Sequence, residues 1–268
     1  MKTQDNYETI KINTPTADIL VCTLNRPAFS NAFNTVMAVE LYQWFESIAL
    51  ESTSGSVRCI VLTGAGERAF CAGGDLKERL DLSDQAWQRQ HLVYERMARA
   101  ILNCPLPVVG AINGAAYGGG CELVAMCDFA YASDTARFAL TETSLGIIPG
   151  AGGTQTVARA VGERRAKELI FSATPISATQ AFDWGLINRV TTPDALIDEV
   201  MASAQRIAAN APVAVRQAKQ AIGRGLDLSL ADGLAFEIEA YNRTVPTADR
   251  REGVRAFNDR RRPVFTGH

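Results

Sequence analysis

The chain has 268 residues, 47% hydrophobic and 21% charged, so it has ordinary globular usage, enough length to bury a core as one domain with a helical appendage, and no composition for long disorder. Lys plus Arg number 27 and Asp plus Glu 29, a net charge of −2 that gives no general pull toward nucleic acid or an anionic membrane. Only two histidines, His91 and His268, are present, which removes imidazole-built zinc sites and leaves any Ser-His-Asp or Cys-His device resting on His91.

Asp5 and Glu8 stand where the apolar stretch of a secretory leader would have to be, and no apolar run reaches membrane-span length, so a cytosolic protein is expected. Asp18–Leu24 reads as a strand. Phe33, Val36, Met37, Leu41, Trp44, Phe45 and Ile48 then recur at helical spacing behind the cap candidates Ser30 and Asn31. Val57–Thr63 predicts a buried strand, Gln85–Leu102 a helix ending before Pro105, and Pro107–Ile112 a second buried strand. A glycine-rich turn and a short helix from about Cys121 follow, then strands at Phe129–Ala132 and Ala136–Leu140. Strands alternating with helices predict an α/β fold with a largely parallel sheet and right-handed crossovers.

The second half reads as mostly helical. Ser177-Ala178-Thr179-Gln180 fits a capping box, Gly185 suits the end of the helix it opens, and Pro212 suits a first helical turn. Helices are predicted over Pro193–Asn210, Pro212–Gly223, Leu230–Arg243 and Ala248–Arg262. The expected division is a βα core over residues 1–192 and a helical region over 193–268 that packs against another subunit. The six cysteines, Cys22, Cys59, Cys71, Cys104, Cys121 and Cys127, form no CxxC pair and read as small core residues in a reducing compartment.

Three glycine-rich segments carry the functional signal. Gly64-Ala65-Gly66-Glu67-Arg68-Ala69 satisfies G-x-G-x-x-A after a strand, but a dinucleotide site needs a helix to open within those glycines, and Gly73-Gly74 follow too soon. A strand-ending turn is the better account. In Phe70–Lys77, Gly73-Gly74 lets the backbone run close to a ligand before a helix begins near Asp75. In Asn113–Leu123, three successive glycines, Gly118 to Gly120, stand between a buried strand and a helix. A plain turn does not need three, whereas backbone approach to a ligand does, and the helix N-terminus adds unpaired amides for an oxyanion.

Two acids stand beside these turns. Glu122 lies in an otherwise apolar helical start, and Glu142 lies between a strand and the glycine-rich loop Leu145–Gln155. Either alone reads as a solvated helix position or a strand end. Together they form a candidate acid–base pair, since mutual repulsion raises one apparent pKa. Trp87 and His91 fall on the Gln85–Leu102 helix, where packing and cover for an acyl chain both stay open.

In sequence, Asn25-Arg26-Pro27, Ile60–Gly64, Phe70-Cys71-Ala72-Gly73-Gly74-Asp75-Leu76, Pro107–Gly114, Gly118-Gly119-Gly120-Cys121-Glu122, Leu145–Gln155 and Asp249–Gly253 resemble the crotonase superfamily almost end to end, and within it the enoyl-CoA hydratases. The resemblance implies a crotonase-like spiral of βαβ turns with a helical C-terminal trimerisation region, assembled as a trimer or a dimer of trimers. It implies hydration of an acyl-CoA thioester with no cofactor beyond the coenzyme A of the substrate, no metal, and no nucleic acid or membrane partner. Carried over by motif, Gly74 and Gly119 correspond to the oxyanion-hole amides, and Glu122 and Glu142 to the pair that holds water. Ala72, Leu76 and Lys77 correspond to the CoA site, and Gly150 lies by the catalytic water. Tyr117 is a candidate for shaping the acyl pocket. Ala28 and Leu106 depart from the lysines many relatives carry, which puts phosphate contacts there in doubt; Arg260-Arg261-Arg262 reads either as a phosphate contact from a neighbouring subunit or as a solvated basic helix end. The second half is most similar to the methylglutaconyl-CoA hydratase branch, some members of which bind RNA, but Arg89, Arg96 and Arg99 form no basic row. The competing readings are an enoyl-CoA isomerase, a hydratase specialised for methylglutaconyl-CoA or methylthioacryloyl-CoA, and a non-catalytic RNA- or protein-binding module.

Overall fold

The computed structural model describes residues 7–51 and 56–268; Asp5 lies outside them. The β-rich runs form two sheets. The larger joins β1 (Ile10–Thr16), β2 (Ile19–Leu24), β3 (Cys59–Gly64), β5 (Val108–Ile112), β7 (Phe129–Ser133) and β10 (Arg189–Thr191), in the order β1-β2-β3-β5-β7-β10. Only the β1–β2 pairing is antiparallel. The smaller sheet joins β4 (Ala69–Cys71), β6 (Ala115–Tyr117), β8 (Arg137–Ala139) and β9 (Ile176–Ser177), with β9 antiparallel to β8. The chain passes from a strand of the large sheet to one of the small sheet, then returns through a helix, and repeats this from β3–β4 to β5–β6 to β7–β8.

The turns between the sheets stack, and asparagine side chains tie one level to the next. Asn113 donates to the carbonyls of Gly64 (3.0 Å) and Gly66 (2.5 Å) and accepts from the Gly64 amide (3.1 Å). Asn31, fully buried at φ 54°, donates to the carbonyls of Ala65 and Ala69, each at 2.9 Å. Ser30 and Asn31 therefore shape this turn, and the first helix, α1 (Thr35–Glu51), is capped instead by Asn34, whose side chain accepts from the Met37 amide at 3.0 Å. Gly64 and Gly66 end β3 and lead to β4 with no helix between, as a strand-ending turn requires.

The strands explain their own composition. In β3, Ile60 and Leu62 face one apolar cluster and Cys59 and Val61 the other. Val108 and Ile112 of β5 divide from Val109 and Ala111 in the same way. Both faces are thus buried, which is why these strands read as unbroken apolar runs. One face is covered by α1, α3 (Asp84–Leu102) and α4 (Gly119–Met126). The other is sealed by Leu196, Val200, Ala204 and Ala208 of α8 (Pro193–Ala208). The boundary expected at residue 193 thus falls at the start of a helix packed on the sheet. All six cysteines are buried and free.

The short helix α2 (Leu76–Arg79) precedes α3, and α5 (Gly153–Val161), α6 (Glu163–Ser172) and α7 (Ala178–Trp184) follow β8. The predicted capping box of α7 is present, and Gly185 closes that helix at φ 86°. Helices α9 (Pro212–Gly225), α10 (Leu230–Asn242) and α11 (Ala248–Asn258) complete the chain. Lys219 of α9 reaches Asp128 (2.7 Å) and the Leu106 carbonyl (2.8 Å), and Arg58 holds the carbonyls of Ala208 (2.8 Å) and Phe265 (2.6 Å). Among the described residues no helix is long and apolar enough to cross a membrane.

Candidate active site

The glycine triplet opens α4 where that helix meets β4 and the 33–34 turn. Gly118 takes φ 52°, in the left-handed region. A Cβ at Gly119 would stand 2.4 Å from Phe33 Cζ, and one at Gly120 would stand 2.0 Å from the Cys71 carbonyl oxygen. No side chain fits at either point, so the helix start packs closely on the Phe33 ring at Gly119 and on the Cys71 backbone at Gly120. It brings the Gly73-Gly74 segment alongside: a Cβ at Gly73 would lie 3.0 Å from the Gly119 nitrogen.

Gly74 is pinned by its neighbours. Phe33 donates to the Gly73 carbonyl and accepts from the Asp75 amide, each at 2.9 Å. The Gly74 N–H between these bonds has no acceptor among the described residues, and the Gly119 N–H opens a helix, where no carbonyl one turn back can take it.

A cavity of about 890 Å³ lies beside both amides. Ala72, Gly74, Leu76, Gly119, Glu122, Glu142 and Gly150, seven of the eight residues expected at the site, line it. Lys77 does not; it is exposed on α2. Tyr117 is also absent from the lining, whereas Trp87 and His91 belong to it. Arg261 is engaged by Glu252 (2.6 Å) and Asp259 (3.4 Å) on the exposed C-terminal segment. On the other surface Arg96 pairs with Glu46 and Arg99 with Glu95, which leaves no free basic row on α3.

Glu122 is 3% exposed on α4. Its Oε1 accepts from the amides of Ala151 (2.8 Å) and Gly153 (2.7 Å), so the loop that follows β8 folds back over the helix. Burial pushes its pKa up to about 7; the charge of Glu142 adds to this, and the two amides oppose it. Glu142, 8% exposed, stands on a 3₁₀ turn after β8, and its Oε2 is buried with no hydrogen-bond partner among the described residues. Burial raises its pKa as well. Burial in one cavity thus favours the neutral form of both carboxyls.

Two cavity residues have roles the sequence did not announce. His91 Nε2 lies 3.0 Å from the Gly150 carbonyl oxygen, which fixes the proton on that nitrogen because a carbonyl only accepts. Arg79 is 7% exposed. Its Nε donates to Gln90 (2.7 Å), its guanidinium lies over the rings of Trp87 (4.3 Å) and Tyr94 (4.7 Å), and Nη2 is buried without an acceptor among the described residues. A basic residue five positions after Gly74 was the available signal, but an arginine in a short polar helix ordinarily points to water.

The family model described as enoyl-CoA hydratase/isomerase matches residues 14–268. YngF of Bacillus subtilis, which carries the paired name enoyl-CoA hydratase/isomerase, is 46% identical over 245 residues, covering 91% of this chain and 93% of that protein. The short-chain-enoyl-CoA hydratase of Clostridium acetobutylicum is 39% identical over 244 residues, covering 91% and 92%. The crystal structure of an enoyl-CoA hydratase from Bacillus anthracis superposes with a TM-score of 0.94 at 40% identity, covering 97% of this chain and all of that one.

Proposed function

The chain belongs to the enoyl-CoA hydratase/isomerase family of the crotonase superfamily, and on that premise we propose that it is an enoyl-CoA hydratase, a hydro-lyase that adds water reversibly and syn across the double bond of a 2-enoyl-CoA thioester. The observation that carries the reading is the pair of buried carboxyls, Glu122 and Glu142, bordering one cavity with the unpaired amides of Gly74 and Gly119.

In this reading the thioester carbonyl sits on the Gly74 and Gly119 amides, which stabilise the enolate that forms as water adds. Water rests between the two glutamates. One carboxylate takes a water proton as the oxygen bonds to the β-carbon. The π electrons move onto the carbonyl oxygen and return to form the bond between the α-carbon and the proton delivered by the other carboxyl. The pair begins and ends with one proton. Ala72 and Leu76 border the coenzyme A, with Lys77 at its exposed end. The apolar faces of α9 to α11 suit self-association into a trimer or a hexamer made of two trimers. Preference for straight-chain substrates would place the enzyme in fatty acid metabolism.

The test is loss of enoyl-thioester absorbance with crotonyl-CoA and longer homologues. Decay that requires both glutamates supports the hydratase. Movement of the double bond without hydration, dependent on one glutamate, supports an isomerase. Arg79 favours a specialised form, the hydratase of methylglutaconyl-CoA, because that acyl group carries its own carboxylate and Arg79 is a buried cation on the cavity with no anion paired to it among the described residues. A higher kcat/KM for methylglutaconyl-CoA than for crotonyl-CoA, lost in Arg79→Met, would select it.

A further inference from the structure

The loop that holds Glu122 is packed through Pro149 and Ala151 but makes few hydrogen bonds of its own. Between the 3₁₀ turn at Glu142–Leu145 and α5, the segment Ile148–Ala151 makes two hydrogen bonds among the described residues. Gly150 accepts from His91, and Ala151 donates to Glu122. Both bonds belong to one peptide unit, because the carbonyl of residue 150 and the amide of residue 151 are its two ends. In a trans peptide these groups point in opposite directions. The unit therefore runs as a bridge from the α3 ring to the α4 carboxyl.

The neighbouring residues are fitted to that bridge. A Cβ at Gly150 would stand 2.3 Å from His91 Cε1 and 2.8 Å from Nε2, so the ring occupies the space a side chain at 150 would need. Glu122's second amide, from Gly153, belongs to the first residue of α5 and is positioned by that helix. Packing also holds the segment, since Ala151 lies in the main apolar core and Pro149 is buried, but the only hydrogen bond that orients the 150–151 peptide from its carbonyl side, among the described residues, is the one from His91.

We propose that His91 is a positioning residue for Glu122: by donating from Nε2 to the Gly150 carbonyl it orients the 150–151 peptide and so presents the Ala151 amide to Glu122 Oε1. The bond also polarises that peptide, which strengthens the donation on its far side. Nothing in this role has the imidazole exchange a proton with substrate. The inference rests on the hydratase reading for its kinetic consequences and on geometry alone for its effect on Glu122.

Amides that donate to a carboxylate favour its charged form. Loosening the Ala151 amide therefore moves the Glu122 titration upward. The titratable groups around Glu122 are Glu142 from the 3₁₀ turn and Cys121 on its own helix, with His91, Arg79 and Tyr94 bordering the cavity from α2 and α3. All except His91 stay in place in the test.

The experiment compares His91→Ala and His91→Gln with the wild-type chain, the glutamine amide being able to donate to the same carbonyl. Crotonyl-CoA hydration is followed across pH, and the Glu122 carboxyl is titrated by carbon-13 NMR, with Glu122→Gln to assign the signal. In His91→Ala, kcat falls roughly tenfold or more, as misplacement of a catalytic group by a fraction of an ångström produces, with a smaller change in KM. The Glu122 titration moves to higher pH, and His91→Gln recovers most of both effects. A His91→Ala protein with wild-type kcat and titration overturns the proposal. So does a His91→Gln protein as impaired as His91→Ala with the titration unmoved, since that outcome marks His91 as packing only. If the wild-type chain hydrates no enoyl-CoA, the hydratase reading fails while the NMR titration still decides the role of His91.

Discussion

Helix α4 with strands β3 and β5, set against helices α9 to α11, shows two opposite ways of departing from an ordinary interior and surface. In the first group nearly every side chain is buried and the anomaly is polar: Glu122 at 3% exposure among Cys121, Leu123 and Val124. In the second, burial is confined to Pro212, Ala240, Asp249 and Ala256, and the anomaly is apolar: Ile222, Leu226, Leu234, Ile238 and Phe257 are exposed. A buried charge costs free energy unless it is paired or used, and a broad exposed apolar face costs free energy unless it is covered. The first departure is the one the proposed chemistry uses, and the second is the one the proposed self-association would cover. Each can be disturbed while the other is watched.

The largest effect is expected at the acids. Glu122→Gln and Glu142→Gln each lower hydration of crotonyl-CoA by about 10²–10⁴-fold, the range for a lost acid–base group, while the circular dichroism of the core stays native. Full activity in either variant would remove the two-acid mechanism and leave the burial of that glutamate unexplained.

Gly119→Ala comes next. The added methyl meets the buried Phe33 ring at 2.4 Å and displaces the amide proposed for the oxyanion hole. A loss of about 10²-fold in kcat is expected, the scale of one lost donor. A variant with normal kcat would show that the Gly119 amide does not face the developing charge.

The same polar anomaly should be visible in stability. With a pKa of about 7 in the folded chain against 4.5 as the ordinary value, Glu122 binds its proton more tightly when folded. Its contribution is therefore most favourable below pH ~4.5 and is lost as pH rises through about 7. Glu122→Gln, which keeps an oxygen for the Ala151 and Gly153 amides, should stabilise the protein at pH 8 by at most on the order of 3 kcal/mol. That gain should shrink as pH falls below about 7 and be gone only at pH ~4.5 and below. Denaturant midpoints of the two proteins at both pH values measure it; a gain that persists in acid would assign the effect to packing.

On the other side of the comparison, Leu234→Asp with Ile238→Asp places charge on the exposed apolar face of α10. Core stability should change by no more than about 0.5 kcal/mol, because these side chains contribute little to the core. The mass from light scattering should fall from that of an oligomer to that of one chain. An unchanged mass would move the assembly surface elsewhere.

Much of this architecture was legible in the residues because its signals are local. The two-sided burial of β3 and β5 is written as apolar runs, the capping box of α7 as Ser177 and Gln180, and the close approach at α4 as three glycines. Strands β4, β6, β9 and β10 were missed because two or three residues carry no periodicity, β1 because its apolar alternation stops at Ile12 before Asn13-Thr14-Pro15-Thr16, and α1 was given the wrong cap because Asn31 and Asn34 offer the same chemistry to a helix end. Lys77 was expected at the site from its neighbours in sequence, yet α2 turns it outward and Arg79 inward, since helical residues two apart lie on different faces.

By itself, then, the sequence determined which groups the proposed chemistry could draw on: two acids, paired glycine turns and one internal histidine. Tertiary structure alone decided what they meet. Glu122 is held by amides 29 and 31 residues later, and the loop that supplies them is held by a histidine 59 residues before its carbonyl partner. Desolvation, the rise of a carboxyl's pKa and the orientation of a single peptide depend on neighbours brought together by the packing of two sheets and their helices, and no local pattern of residue types encodes those distances.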